Sequence, residues 1–302
     1  MSRRSVHRES EFVTLDTVVF DVDGVLVDTD SSYTEAVLLT VQWLLVHDAG
    51  IADDGPVVSR ADIRAFKIAG GWNNDWDLST AMYRWLLAGV RSRPAATTTM
   101  LRRAAGSAAE AAGLSLDEHG SRAANYAPRS WEEIRGIFDE FYAGTAVAVA
   151  RHGMRPRVHA ARGLVETERV LLRPALIDEL RALGVSRFGV VTGRGRAEWE
   201  AIADRVPLPP GTVVSTAEHG QKPDPAPLRR VVDALGSRSA LTVGDTMDDL
   251  HLVVNYMRLA GAVPCVPVVL CLLEDELVYR AAGGSVFVRS IDDLPKAVRA
   301  LA

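Results

Sequence analysis

Two kinds of hydrophobic pattern run along this chain, and the change between them divides it. Val18, Val19 and Phe20 form a short apolar run that stops at Asp21, Asp23 and Gly24. β-Branched and aromatic residues bounded by turn residues predict a short buried strand. From Tyr33 the apolar spacing becomes helical, through Val37, Leu38, Val41, Leu44 and Leu45 over 33–47, with a shorter helix over 60–68. Gly70-Gly71-Trp72-Asn73-Asn74 breaks the pattern, and Leu78, Met82, Trp85 and Leu86 then share one helical face. Asn73, Asn74 or Asp75 could cap that helix. Residues 92–130, rich in Ala, Arg, Thr and Ser, predict irregular helix or mobile loop. Helical spacing returns at Ile134, Ile137, Phe138 and Phe141, and no convincing strand appears up to about residue 165.

Beyond that point strands and helices alternate. Pro174 opens a helix through Leu176, Ile177, Leu180 and Leu183 that stops at Gly184, with proline and glycine where helix ends favour them. Phe188–Val191 precedes a helix near 195–204, Val213-Val214 one over 225–235, and Ala240–Val243 one near 247–259. Val266–Leu270 precedes a helix near 274–281, and Val286–Val288 a last one near 291–301. This alternation predicts a parallel sheet covered on both faces. With the strand at 17–20 as its missing member, the α/β core is discontinuous, 12–30 with 166–302, and 31–165 is a helical block inserted after the first strand. Residues 1–11, basic but followed by no apolar signal core, read as a frayed tail.

Composition narrows the partners. The 302 residues are 48% hydrophobic and 24% charged, an ordinary globular balance. A formal charge of -5 leaves no footprint for nucleic acid or an anionic membrane. The longest apolar run, 261–273, is too short to span a bilayer and is broken by Pro264 and Pro267. Two cysteines, Cys265 and Cys271, suggest neither a disulfide framework nor a zinc site and fit a reducing compartment, so the expectation is a soluble cytoplasmic protein. Only Lys67, Lys222 and Lys296 among 34 basic residues are lysine, which makes each lysine informative.

Polar clusters recur where the early strands end. They are Asp21-x-Asp23, Thr192-Gly193-Arg194-Gly195, Lys222-Pro223-Asp224-Pro225 ahead of a helix, and Asp245-Thr246-Met247-Asp248-Asp249. Taken singly, each is also what a turn or a helix cap would use, and Thr246 or Asp248 is expected to cap its helix. Taken together they suit phosphoryl transfer. A carboxylate can attack phosphorus, and a second can move the proton of the leaving oxygen. A hydroxyl and free amides suit phosphate oxygens, a lysine offsets developing charge, and clustered aspartates suit Mg²⁺.

In this order the four clusters resemble the motifs of the haloacid dehalogenase (HAD) superfamily. The Asp-x-Asp-Gly-Val-Leu-x-Asp opening and Lys-Pro-x-Pro at 222–225 resemble its phosphatase-like members with a helical cap inserted after the first motif. The resemblance implies a Rossmann-like parallel-sheet core, with Asp21 as nucleophile and Asp23 as general acid and base. It implies that Thr192 binds the phosphoryl group, beside Gly193 and Arg194, and that Lys222 stabilises an aspartyl phosphate. It further implies Mg²⁺ held by Asp21, the Asp23 backbone, Asp245 and Asp249. Dehalogenases of the family lack the second aspartate, so Asp23 speaks for phosphate chemistry.

The implied reaction is Mg²⁺-dependent hydrolysis of a small phosphorylated metabolite such as a phosphosugar or cyclitol phosphate. A phosphomutase on the same scaffold, or a binding protein without catalysis, are the alternatives. In the inserted block, Lys67, Asn73 and Asn74 are the substrate-binding candidates, with Arg84 near them in sequence. Trp72 and Trp76 could instead simply pack there. Glu218 and His219 read as surface residues.

Overall fold

The computed structural model describes residues 15–89, 97–126 and 128–301. The expected tail at 1–11 lies outside them. The described residues hold eight strands: β1 (Thr17–Phe20), β2 (Val27–Asp28), β3 (Arg169–Val170), β4 (Arg187–Val191), β5 (Val213–Ser215), β6 (Ala240–Gly244), β7 (Cys265–Leu270) and β8 (Val286–Val288). Six form a parallel sheet in the order β5-β4-β1-β6-β7-β8. β1 is central, with Phe20 level with Val190 on one side and Val243 on the other. Strand order reverses around β1, and open α/β sheets bind ligands at the carboxyl ends of strands flanking such a point.

The apolar run of β1 feeds both faces of the sheet, because successive side chains point oppositely. Val18 and Phe20 pack with Leu176, Leu180 and Ile202 on one side. Val19 packs with Leu228, Val231 and Val253 on the other. The covering helices are Pro174–Ala182, Arg196–Ala203, Ala226–Leu235, Met247–Tyr256 and Leu294–Leu301, all near their expected places.

The chain leaves and re-enters this core side by side, since β2 and β3 pair antiparallel. Neither short strand has a sequence signal of its own. Between them lies a helical layer with a separate hydrophobic cluster, drawn from residues between Ala36 and Tyr142. Its helices include Glu35–Trp43, Arg60–Ala69, Asp75–Ala88 and Trp131–Ala143. Leu78, Met82 and Leu86 are fully buried, and each contributes roughly 1.5–3 kcal/mol.

The described part of the stretch 92–130 takes the irregular-helix alternative, closed by a 3-10 turn at Ala124–Tyr126. It holds three short helices, Thr98–Ala104, Ala108–Ala112 and Leu116–Ala123. Alanine-rich segments show weak periodicity because alanine fits either side of an interface; here Ala108, Ala111, Ala112 and Ala123 face inward. Ser115 caps the third helix through a reciprocal capping box with Glu118, a local signal worth about 1 kcal/mol.

Polar contacts on the far side of the sheet edge help fasten the layer onto the core. The Gly71 amide donates to Asp248 Oδ1 at 3.0 Å, and Arg64 reaches Glu274 and Asp275, each at 3.0 Å.

Candidate active site

Parallel pairing sets the strand ends level, so the residues that follow them meet at one edge. The Asp21 amide donates to the Val243 carbonyl at 2.8 Å, which carries the β1–β6 register one residue past the strand. Asp21 is thereby aimed across the sheet edge toward the turn after β6. Gly24 is required there: its φ is +77°, and a Cβ would lie 2.1 Å from Asp245 Oδ2. Gly244 is needed for space alone on the other side, where a Cβ would meet the Asp249 side chain at 2.2 Å.

Asp21, Asp245 and Asp249 bring carboxylate oxygens within 4.8 Å of one another. Asp249 is fixed by a capping box. Its Oδ2 accepts from the Thr246 amide at 3.1 Å and the Thr246 hydroxyl at 2.6 Å, at the start of the helix Met247–Tyr256. Thr246 is therefore the cap, while Asp248 serves the contact to Gly71. Lys222, whose peptide to Pro223 is cis, lies between the carboxylates. Its Nζ is 2.6 Å from Asp21 Oδ1 and 2.5 Å from Asp249 Oδ1, in ion pairs almost wholly out of solvent.

The charge balance of this cluster is short of cations. Burial drives the Asp21 carboxyl up to about 7; Lys222 opposes the rise, while Asp249 and Asp23 add to it. Burial likewise pushes Asp245 well above the carboxylate range, reinforced by Asp249 and Asp21. For Lys222 burial works against the charge, but Asp21 and Asp249 outweigh it and hold the ammonium more firmly than usual. Asp245 Oδ1 is buried with no hydrogen-bond partner among the described residues. An orphaned hard oxygen in an all-carboxylate set fits a divalent cation such as Mg²⁺.

Asp23 points elsewhere. Its Oδ1 accepts from Arg194 Nε at 2.9 Å and Nη2 at 2.6 Å. Arg194 is 2% exposed, and Nη2 also reaches Glu168 Oε1 at 3.0 Å. Its guanidinium lies 5.3 Å from the centre of the Tyr33 ring. Burial opposes the Arg194 charge and the Asp23 carboxylate outweighs it, so the cation is held firmly. The Thr192 hydroxyl accepts from the Arg194 amide at 3.1 Å, which turns the loop after β4 inward.

Asp21, Asp23, Gly193, Arg194 and Asp245 line a cavity of about 540 Å³ with Lys67, Asn73, Asn74, Asp75 and Trp76 of the helical layer. Thr192, Lys222 and Asp249 are buried alongside. Several of the layer's polar groups already have partners. Lys67 pairs with Asp75 at 2.9 Å, and Asn74 Oδ1 caps the helix Asp75–Ala88 through the Trp76 and Asp77 amides. Trp76 Nε1 donates to Asp139. Trp72 is buried in the layer's own core, and its indole donates to the Ala112 carbonyl. Arg84 does not line the cavity; it reaches the Leu116 carbonyl inside the layer.

Sequence reasoning missed Glu168, Tyr33, Tyr142 and Asp75. Glu168 has no motif around it, and its partners Ser32 and Arg194 are distant in the chain. Asp75 sat in the breaker and was legible only as a capping candidate.

The geometry defines an α/β protein with a buried acidic cluster at the ends of its central strands. The profile of the haloacid dehalogenase-like hydrolases matches residues 15–251, and the chain belongs to that family. Among solved structures, phosphatase Tt82 from Thermococcus thioreducens superimposes with a TM-score of 0.58 at 25% identity, covering 89% of this chain and all of that one. A candidate phosphoglycolate phosphatase from Lactobacillus delbrueckii subsp. bulgaricus gives 0.53 at 16% identity, over 94% of this chain and 98% of the other, a likeness of fold. A Phytophthora nicotianae protein named imidazoleglycerol-phosphate dehydratase is 24% identical over 241 residues, 77% of this chain. The chain spans 40% of the length of that relative. None of the helices among the described residues is long and apolar enough to cross a membrane.

Proposed function

We propose that this protein is a phosphatase that hydrolyses a small phosphorylated metabolite through an aspartyl phosphate formed on Asp21. The observation that carries the reading is the Asp21–Lys222–Asp249 ion-pair cluster at the end of β1, beside the orphaned Asp245 oxygen. Mg²⁺, held by Asp21, Asp245, Asp249 and the Asp23 carbonyl, would supply charge for the phosphate oxygens.

The remaining chemistry belongs to the chain. Asp21 attacks phosphorus, and the bond to the leaving oxygen breaks as Asp23 passes that oxygen a proton. Asp23 then takes a proton from water, which attacks the aspartyl phosphate and releases inorganic phosphate. Lys222 offsets negative charge on the nucleophile and the phosphoryl group. Thr192 and the Gly193 region bind phosphoryl oxygens, and Arg194 has Nη1 left for the same purpose.

We take residues 31–165 as a cap that closes on the core and excludes water until the leaving group departs. Lys67, Asn73 and Asn74, on the cavity wall, contact the non-reacting part of the substrate. The Asn73 side chain and the Asn74 amide nitrogen suit hydroxyl groups, consistent with a phosphosugar or cyclitol phosphate. The decisive assay follows phosphate release from a generic ester with Mg²⁺, in the parent protein and in Asp21→Asn. Activity that survives the substitution overturns the mechanism, and an isomerised ester in place of free phosphate makes the enzyme a mutase.

A further inference from the structure

Asp23 is held by a buried network that reaches into the helical layer. Arg194 grips Asp23 Oδ1 with two N–H groups, so the other carboxylate oxygen is the one left for proton transfer. Behind Arg194 stands Glu168, 3% exposed overall and with its side chain fully out of solvent. Glu168 Oε1 gathers three donors: Arg194 Nη2 at 3.0 Å, the Ser32 hydroxyl at 3.0 Å and the Tyr142 hydroxyl at 3.2 Å. Tyr142 lies on the helix Trp131–Ala143, stacked on Tyr33 at 4.2 Å between ring centres. Tyr33 in turn lies under the Arg194 guanidinium.

A carboxylate taken wholly out of water is costly unless its partners are fixed. This one immediately precedes β3, where the chain re-enters the core, and its three partners come from three separate parts of the fold. Arg194 is also the one guanidinium among the largest fully buried side chains.

We propose that Glu168 is a positioning residue for the proton-transfer step: it fixes the plane of Arg194, which fixes the Asp23 carboxylate. Ser32 and Tyr142 carry the same restraint into the helical layer, so the acid/base group is aligned when the helix Trp131–Ala143 is seated. The inference rests on the reading of Asp23 as general acid and base. It adds a residue that never touches the substrate and sits beside neither Asp21 nor Asp245.

The test uses leaving groups of different need. An alkyl alcohol must be protonated as it leaves, whereas a nitrophenol departs as its anion. Comparing kcat/KM for an alkyl phosphate and for p-nitrophenyl phosphate therefore isolates proton donation in the step that forms the aspartyl phosphate. Asp23→Asn sets the scale, with a loss of ~10²–10⁴-fold expected on the alkyl ester. Glu168→Gln is expected to lower the alkyl value by about tenfold or more while the aryl value stays within about threefold. Arg194→Lys, which keeps the charge without the planar two-pronged grip, should lower both values because Arg194 also faces the phosphoryl oxygens, with the larger loss on the alkyl ester.

Tyr142→Phe keeps the ring stack and removes only the hydroxyl, and a selective fall of a few fold on the alkyl ester is expected. Thermal melting of each variant shows whether it is folded, and Tyr142→Phe carries the test if Glu168→Gln is not. Equal losses on both esters would reduce the network to scaffold and overturn the proposal. A Tyr142→Phe variant identical to the parent protein on both esters would remove its link to the helical layer. If the parent protein shows no Asp21-dependent turnover of either ester, it is the phosphatase reading that fails.

Discussion

The strand-end cluster and the helical layer face one another across a single cavity, yet their polar groups are in opposite condition. In the cluster, Asp21, Asp245 and Asp249 crowd together around one lysine, and Asp245 Oδ1 has no partner among the described residues. In the layer, the groups on the cavity wall are largely satisfied already: Lys67 by Asp75, Asn74 by its helix, Trp76 by Asp139. An unbalanced buried site holds its free energy in reserve for a ligand that completes it, and that is where chemistry is expected. A balanced wall shapes and selects, and it contributes less per residue.

This contrast can be broken experimentally, and the largest effects should lie on the cluster side. Asp21→Asn is expected to lower kcat by ~10⁴-fold or more, since losing a nucleophile removes the covalent route. Phosphate release under saturating substrate checks it. Lys222→Met should cost about 10²–10³-fold in kcat and destabilise the fold by about 3–5 kcal/mol, because it leaves two buried carboxylates without their counter-charge. Urea unfolding gives the second number, and a variant as stable as the parent protein would show that the pairs are not buried as described.

Next in size is the effect of the cation on stability. Mg²⁺ at a hundredfold excess over its Kd should add about 2.7 kcal/mol, a rise of several degrees in melting temperature without any substrate. In Asp245→Asn that rise should shrink or vanish, and an unchanged shift would place the ion elsewhere. The smallest effect belongs to the layer. Asn73→Ala should raise KM for the physiological ester by about tenfold while leaving a small aryl phosphate alone, the signature of lost contact with the non-reacting part. Equal effects on both esters would move Asn73 out of the specificity wall.

Much of the core was legible beforehand, and for a physical reason. A buried parallel strand needs a continuous apolar run, and its carboxyl end must turn sharply, so Val18–Phe20 followed by Asp21-x-Asp23-Gly24 states the strand and its turn locally. Thr192 and Asp245 each stand one residue past a strand, and Lys222 stands seven past β5. The alanine-rich helices of the layer were less legible, since their inward faces carry small residues that also suit a surface. Glu168 was invisible: Ser32 lies 136 residues away and Arg194 lies 26. Nothing local marks a glutamate as buried.

The sequence by itself determined the alternation of strands and helices that builds the core sheet, because backbone pattern and turn chemistry are local. Tertiary structure alone decided which carboxylates share one charge cluster and which does not. Asp21 faces Asp245 and Asp249, while Asp23, two residues on, turns to Arg194. That choice depends on parallel register, on Gly24 giving way to Asp245, and on a buried glutamate delivered by the returning chain. Those are distances across the fold, and no neighbour in the chain encodes them.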